Sequence, residues 1–276
     1  MPFVNVNHAR LWYDAAGEGE PILLHHGYTA CRDNWQPVGR ILEHKYRVVI
    51  MECRGCGESE HTEDGYHLDQ FAEDAIALMS ELGHEKFTFV GHSMGGGIGM
   101  TIAIKHPQVL NQLVLVGSVG AKGLVGQSFR TNVEERLAAR KAGDKAFFMR
   151  EQRDGFFRTD VQTEAWFERR VHHMMNVVSD KHLIDAMASM QSMDYREALP
   201  QVQTPTLVIA GGVDPLMTTN IEDYQRLPNA ALHIFSRAAH EIGIHETEGT
   251  AKVIDAFMQH GPLNAGTLKT PPSSRA

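Results

Sequence analysis

Short runs of consecutive apolar residues alternate along this chain with stretches whose apolar residues recur at every third or fourth position. Ile22-Leu23-Leu24, Arg47–Met51, Phe87–Val90, Leu113–Val116, Thr206–Ala210 and Ala231–Phe235 read as strands buried on both faces. Phe3–Val6 and Ala9–Tyr13 read as two shorter strands around Asn7-His8, a hairpin signal. Leu68, Phe71, Ala72, Ala75, Ile76, Met79 and Leu82 keep helical spacing, and Gly83 supplies a C-terminal stop. Further helices are expected near Trp35–Leu42, after Ser93 as far as His106-Pro107, and over Thr247–Gln259. Buried strands alternating with helices predict an α/β fold: a mostly parallel sheet covered on both faces. Right-handed crossovers then bring every strand's C-terminal end to one edge, where open α/β sheets keep their sites. His26, Glu52, Ser93 and Ser118 fall at such ends.

The strand-like runs vanish between residues 121 and 200, replaced by charged helical patterns with large side chains. The reading is therefore a core in two parts, 1–120 and 201–260, with a helical cap at 121–200 inserted between two strands. Phe147, Phe148, Phe156, Phe157, Trp166, Phe167, Met174 and Met175 are expected to form the cap's own core. Trp166, Met174 and Met175 are also candidates to face a substrate cleft, since flexible Met surfaces adapt to varied apolar ligands. His172-His173 is expected to be exposed. The segment 261–276 has no core-forming pattern and is expected to be disordered.

At 276 residues, 42% hydrophobic and 22% charged, the chain has the composition of a globular protein able to bury a full core. A net charge of −8 and the absence of basic runs argue against nucleic acid as a partner. No apolar stretch approaches the ~20 residues that span a bilayer, so no membrane partner is expected, and the N-terminus lacks secretory-signal character. The expectation is a cytoplasmic protein; oligomeric state is not specified by the sequence. Cys31, Cys53 and Cys56 are too few for a disulfide framework. Cys53-Arg54-Gly55-Cys56 spells C-x-x-C, but a Gly-rich loop follows it in place of a helix and no second C-x-x-C accompanies it. Reduced loop thiols are expected there, with no metal and no cofactor. The 16 histidines are scattered, and most are expected at the surface or at caps.

The chemistry concentrates in Gly91-His92-Ser93-Met94-Gly95, a Gly-x-Ser-x-Gly turn between a strand and a helix. In so tight a bend the serine hydroxyl is thrust out at the sheet edge, and the flanking glycines remove Cβ atoms that would clash. The helix that follows aims unpaired N–H groups and its positive end at the same place, where an oxyanion could form. A serine nucleophile needs a base, and the base an orienting acid. Asp214 follows the strand Thr206–Ala210 and His240 follows the strand Ala231–Phe235, giving the order Ser93…Asp214…His240. The second oxyanion donor should come from His26-Gly27-Tyr28 after the strand Ile22–Leu24. That loop would offer the Tyr28 N–H beside the Met94 N–H, with His26, Gly27 and His92 as further candidates to touch substrate.

With His26-Gly27, Arg54-Gly55-x-Gly57-x-Ser59, Gly91–Gly96, Asp214 and His240 taken together, the chain resembles the α/β-hydrolase superfamily, in its branch of small hydrolases with a helical cap. The resemblance spans about residues 3–260. It implies an eight-stranded, mostly parallel sheet and cleavage of esters, lactones, amides or C–C bonds without metal or organic cofactor. Glu52 departs from the Asp usual before the x-Arg-Gly turn, a position with a structural role. Serine at 93 disfavours haloalkane dehalogenase and epoxide hydrolase chemistry, which in this fold uses Asp there. The reading is a serine hydrolase acting on a small-molecule ester or lactone. The alternatives are a C–C bond hydrolase of ring-cleavage products, a cofactor-free perhydrolase, or a slow-turnover ligand receptor.

Overall fold

The computed structural model describes residues 2–124, 133–156, 158 and 160–263, including all of their side chains except those of 154–156. Eight strands form one sheet: β1 (Phe3–Val6), β2 (Ala9–Ala16), β3 (Pro21–His25), β4 (Arg47–Met51), β5 (Phe87–His92), β6 (Leu110–Val116), β7 (Thr206–Gly211) and β8 (Ala230–Phe235). Their spatial order is β1-β2-β4-β3-β5-β6-β7-β8. β1 with β2 and β2 with β4 pair antiparallel, and every other pairing is parallel. Asn7 and His8 both adopt positive φ, 46° and 60°, the geometry that lets a two-residue turn follow the twist of the β1–β2 ribbon.

Successive residues of the parallel strands enter opposite cores. Leu23, Val49, Phe89, Leu113, Leu115 and Val208 pack on one face with α2 (Leu68–Glu81) and α3 (Met94–Lys105). Ile22, Leu24, Val48, Ile50, Val90, Val114, Val116, Leu207 and Ile209 pack on the other with α1 (Gln36–Leu42) and α10 (Thr247–His260). The period-two side-chain alternation of a strand thus feeds two cores, which is why these strands read as unbroken apolar runs.

Between β6 and β7 lie α4 (Val133–Ala142), α5 (Lys145–Phe156), α6 (Glu164–Asn176), a π-helical turn (His182–Ala186) and α7 (Met187–Ser192). Ala139, Phe148, Val171 and Met174 form a small core within this insertion, with Phe147, Met149 and Met175 packed against it. α8 (Met217–Arg226) follows β7, and the short α9 (Ile242–His245) precedes α10. The expected disordered tail lies outside the described residues from 264 onward, as do the side chains of Phe156 and Phe157. Among the described residues no helix is long and apolar enough to cross a membrane.

The turn after β4 is fixed by a buried ion pair. Arg54 donates from Nε and Nη2 to the two carboxylate oxygens of Asp74 on α2, each at 2.7 Å, and Nη2 also reaches the Asn7 carbonyl at 3.2 Å. Asn7 and Gln70 donate to the same carboxylate at 3.1 and 3.0 Å. One guanidinium therefore ties the β1–β2 turn, the β4 loop and α2 together. Removing one partner strands the other charge in the interior, which typically costs 3–5 kcal/mol. Asp74→Ala should lower unfolding stability by about that much, ~3–5 kcal/mol, measured by urea denaturation.

Candidate active site

Ser93 joins the end of β5 to the start of α3 with φ 56° and ψ −114°, a conformation non-glycine residues seldom adopt. Its neighbours explain how the bend is held. A Cβ at Gly91 would lie 2.1 Å from the Gly95 carbonyl oxygen, one at Gly95 2.6 Å from the His25 carbonyl oxygen, and one at Gly96 2.2 Å from Ser118 Oγ. Only bare backbone fits this bend. The Ser93 N–H donates to the Val116 carbonyl at 3.0 Å, and the Ser93 carbonyl accepts from Gly96 and Val119 at 2.9 and 3.0 Å. The strained residue is thereby fastened to both α3 and the end of β6.

Asp214 sits in the turn after β7 and His240 in the loop after β8. Asp214 Oδ1 accepts the Leu216 N–H at 2.9 Å, and Oδ2 lies 3.0 Å from His240 Nδ1. This contact orients the His240 ring and favours the tautomer with its proton on Nδ1. Burial pushes Asp214 upward, but the His240 charge and hydrogen bond outweigh it and hold the carboxyl below its ordinary range. Burial likewise disfavours the His240 imidazolium. Asp214, and then Glu241, outweigh that penalty, so the His240 pKa is raised above the ordinary histidine value.

The loop after β3 brings Gly27 against the nucleophile turn: a Cβ there would lie 2.9 Å from Ser93 Cβ. Thr29 takes φ 55°, turning the chain back. Among the described residues neither the Tyr28 N–H nor the Met94 N–H donates to another protein group. Both amides, one at the start of α3 and one in the adjoining loop, are therefore without a protein acceptor among the described residues.

Four candidates for substrate contact sit elsewhere. His26 is fully buried, with Nδ1 2.8 Å from the Gly27 carbonyl and Nε2 accepting the Cys53 N–H at 3.1 Å, so it faces the protein and not a cleft. His92 donates from Nε2 to the His240 carbonyl at 2.9 Å, and burial drives its pKa to about 4, so it is a neutral prop for the His240 loop. Met174 and Met175 belong to the insertion's core, because their face of α6 packs on Phe148 and Ala139. Trp166 lines a cleft of about 640 Å³ between α6 and the loops at 31–34 and 52–58; Ser93 is not among its walls. His173, expected at the surface, is buried with Nε2 3.1 Å from the Ala30 carbonyl, while His172 is exposed as expected. Seven histidines are buried, and four of them, His25, His26, His92 and His173, bond to backbone carbonyls of loops at the sheet edge.

Two further residues stand next to His240. Glu241 is buried, accepts from Asn34 Nδ2, and keeps its carboxyl below the ordinary range: burial opposes this, and His92, Arg170 and His240 prevail. Arg170, on α6, donates to the Thr29 carbonyl at 2.6 Å and lies close enough to His240 and Glu241 to act on both charges. Glu241 could have been suspected from its place directly after His240. Arg170 was one of nine arginines between residues 121 and 200, with no pattern to single it out.

The family model for the alpha/beta hydrolase fold matches residues 20–247. The chain belongs to the α/β-hydrolase family. This hydrolase is 30% identical to a 2-hydroxymuconate semialdehyde hydrolase of Pseudomonas putida, over 88% of each chain. It is 29% identical to a putative non-heme chloroperoxidase of Synechocystis, over 94% of its own length and all of that protein. An enol-lactonase structure from Burkholderia xenovorans matches the hydrolase fold with a TM-score of 0.82 at 23% identity, covering 94% of this chain and all of that one.

The electrostatics can be read directly. His240 should titrate above the ordinary histidine range in ¹H–¹⁵N NMR, because the negative charges of Asp214 and Glu241 both favour its imidazolium. In Glu241→Gln the acceptor for Asn34 remains while one negative charge is lost. The His240 midpoint should move to lower pH, and an unmoved midpoint would show that Glu241 has no hold on it.

Proposed function

We propose that this hydrolase cleaves a carboxylic ester or lactone through an acyl-enzyme on Ser93. His240, oriented by Asp214, takes the Ser93 proton as the hydroxyl attacks the carbonyl carbon. The tetrahedral oxyanion accepts hydrogen bonds from the Tyr28 and Met94 amides. His240 then gives the proton to the leaving alcohol, and water, deprotonated by the same imidazole, releases the acid. The observation that carries this reading is the positive φ of Ser93 at the N-terminus of α3, beside an Asp214–His240 pair bonded at 3.0 Å. A structural serine would need neither the strain nor two amides without acceptors next to it. Because an oxyanion donor typically contributes 10²–10³ in rate, two open amides suit a reaction that develops charge on a carbonyl oxygen.

Hydrolysis of p-nitrophenyl acetate and butyrate tests the proposal. Ser93→Ala should lose roughly 10⁴–10⁶ of kcat with unchanged circular dichroism. Asp214→Asn should lose about 10⁴, because the imidazole is left in the wrong tautomer. Activity undiminished in Ser93→Ala would overturn it.

A second reading, C–C bond cleavage of a ring-cleavage product, draws support from Arg170. Its guanidinium reaches the Thr29 carbonyl beside the proposed oxyanion loop, and among the described residues it makes no carboxylate ion pair of its own. A substrate carboxylate could take that place. The similarity to a 2-hydroxymuconate semialdehyde hydrolase points the same way. If substrate is held there, Arg170→Met should raise KM for a dienone acid at least tenfold while leaving p-nitrophenyl acetate hydrolysis within about twofold, since a charge-assisted hydrogen bond contributes ~1.5–3 kcal/mol. Equal effects on both substrates would favour the ester reading alone.

A further inference from the structure

Beneath the proposed oxyanion loop lies a buried cluster of soft ligands that acyl transfer does not use. Cys53 Sγ, Cys56 Sγ and a ring nitrogen of His26 all lie within 4.8 Å of one another, and all three residues are fully buried. His182, the first residue of the π-helical turn, is fully buried too and turns its ring to the same place, with Nε2 3.6 Å and Nδ1 3.8 Å from Cys56 Sγ. Among the described residues the His182 ring nitrogens have no oxygen or nitrogen partner, and aromatic rings of Tyr28, Tyr66 and Phe71 surround them. His25 adjoins the cluster, and its buried Nε2 has no partner at all. Buried polar groups are ordinarily satisfied by oxygen or nitrogen; among the described residues His182 meets only the Cys56 sulfur and His25 Nε2 meets nothing, in a pocket that gathers two thiols, and that combination suits a soft ligand.

We propose that His26, Cys53, Cys56 and His182 form a binding site for a thiophilic, closed-shell divalent cation, zinc foremost. With metal–sulfur bonds near 2.3 Å and metal–nitrogen bonds near 2.0–2.1 Å, a tetrahedral site separates its sulfur and nitrogen ligands by about 3.6 Å. The Cys56–His182 separation already has that value. His26, Cys53 and Cys56, with ligand atoms within 4.8 Å of one another, would close to such spacings by side-chain rotation around the Cys56–His182 contact. His26 is arranged as a metal-binding imidazole is: Nδ1–H donates to the Gly27 carbonyl, and the Nε2 lone pair faces the loop of Cys53. The cation takes that lone pair over from the Cys53 N–H. Charge also balances, because two thiolates and two neutral imidazoles cancel a divalent ion and leave no net charge in the interior. Binding forms two metal–sulfur and two metal–nitrogen bonds, releases the two thiol protons to solvent, and involves no redox change.

Four protein ligands leave no open position, which makes the site structural. The ligands come from three places: the end of β3, the turn after β4 and the insertion. A bound ion would join the insertion to the loop that carries Gly27 and Tyr28. No motif brings this cluster together, because the two imidazoles stand 27 and 126 residues away from their cysteines.

The full-length protein, kept reduced with a phosphine and stripped by chelation, should bind one equivalent of zinc by elemental analysis. Its melting temperature should rise with zinc concentration. Cobalt(II) as a probe should give a near-ultraviolet thiolate-to-metal charge-transfer band with tetrahedral visible bands. Cys53→Ser/Cys56→Ser should abolish the band and the thermal shift, and His182→Phe, which suits its aromatic surroundings, should weaken binding at least tenfold. Ser93→Ala should bind metal as the wild type does, so the outcome is separate from that of the acyl-transfer reading. A folded, reduced wild type that binds no stoichiometric zinc, or binds cobalt without the thiolate band, would overturn the proposal whether or not the cysteine variants fold. Unchanged binding in a folded double-cysteine variant would do the same.

Discussion

Everything at the sheet's C-terminal edge depends on the backbone bend at Ser93. A residue in that region of φ and ψ carries on the order of 1–3 kcal/mol of strain, and it persists only where its surroundings leave no alternative. Here the surroundings do so by close approach. Gly91 and Gly95 bring backbone against backbone and Gly96 lies against the Ser118 side chain, so that relaxing the bend would drive α3 away from β3 and the end of β6. Four backbone hydrogen bonds from and to Ser93 oppose that motion. The same contact sets the path of the chain after β6: Val119 bonds to the Ser93 carbonyl, and Gly117, at φ 49°, passes beside the Asp214 carboxylate, where a Cβ would come within 3.1 Å of Oδ2. One bend therefore positions the serine, the first turn of α3 and the loop that walls the carboxylate.

Buried charge is the second organising force, and magnitudes decide its sign. Desolvation alone would leave His240 neutral and Asp214 protonated. It is overcome at both because they face each other at hydrogen-bond distance, where attraction in the interior is strongest. His92, only one ring away from His240, has no such partner; desolvation prevails, and its pKa falls to about 4. Adjacent imidazoles are thus shifted in opposite directions, His240 up and His92 down. Glu241 and Arg170 extend the network, one favouring the His240 imidazolium and the other opposing it.

The strand and helix pattern was legible because period and length report it directly. Runs such as Val48-Val49-Ile50 announce burial on both faces, and the two cores receive their residues in strict alternation. Ser93, Asp214 and His240 could be named together because each stands next to a strand end, and strand ends of a parallel sheet meet at one edge. What a period cannot report is the partner. Met174 and Met175 have the spacing and the chemistry for a cleft, yet that face of α6 found Phe148 and Ala139 first. His26 and His92 stand at the right edge but point into it, where neighbouring carbonyls and amides claim both rings. His182 and Arg170 were invisible for a simpler reason: the insertion's fold against the core is set by helix packing, which leaves no fixed spacing in the sequence.

Tyr28 shows how these layers meet in one residue. Its hydroxyl donates to the Leu183 carbonyl at 2.6 Å and its ring stacks on His182, both in the π-helical turn. The β3 loop is therefore gripped at its tip by the insertion, and at its base His26 bonds to the turn after β4. That turn is in turn fixed by the Arg54–Asp74 pair and bonded through the Gly55 carbonyl to Ser179. A movement of the π-helical turn cannot leave the Tyr28 amide in place unless the phenol detaches, because the residue is too short and too well packed to absorb it elsewhere. Donor geometry tolerates errors of only a few tenths of an ångström before an oxyanion hydrogen bond weakens. The insertion is thus more than a cover over the sheet edge. It also holds the loop that carries Gly27 and Tyr28 against the end of β5.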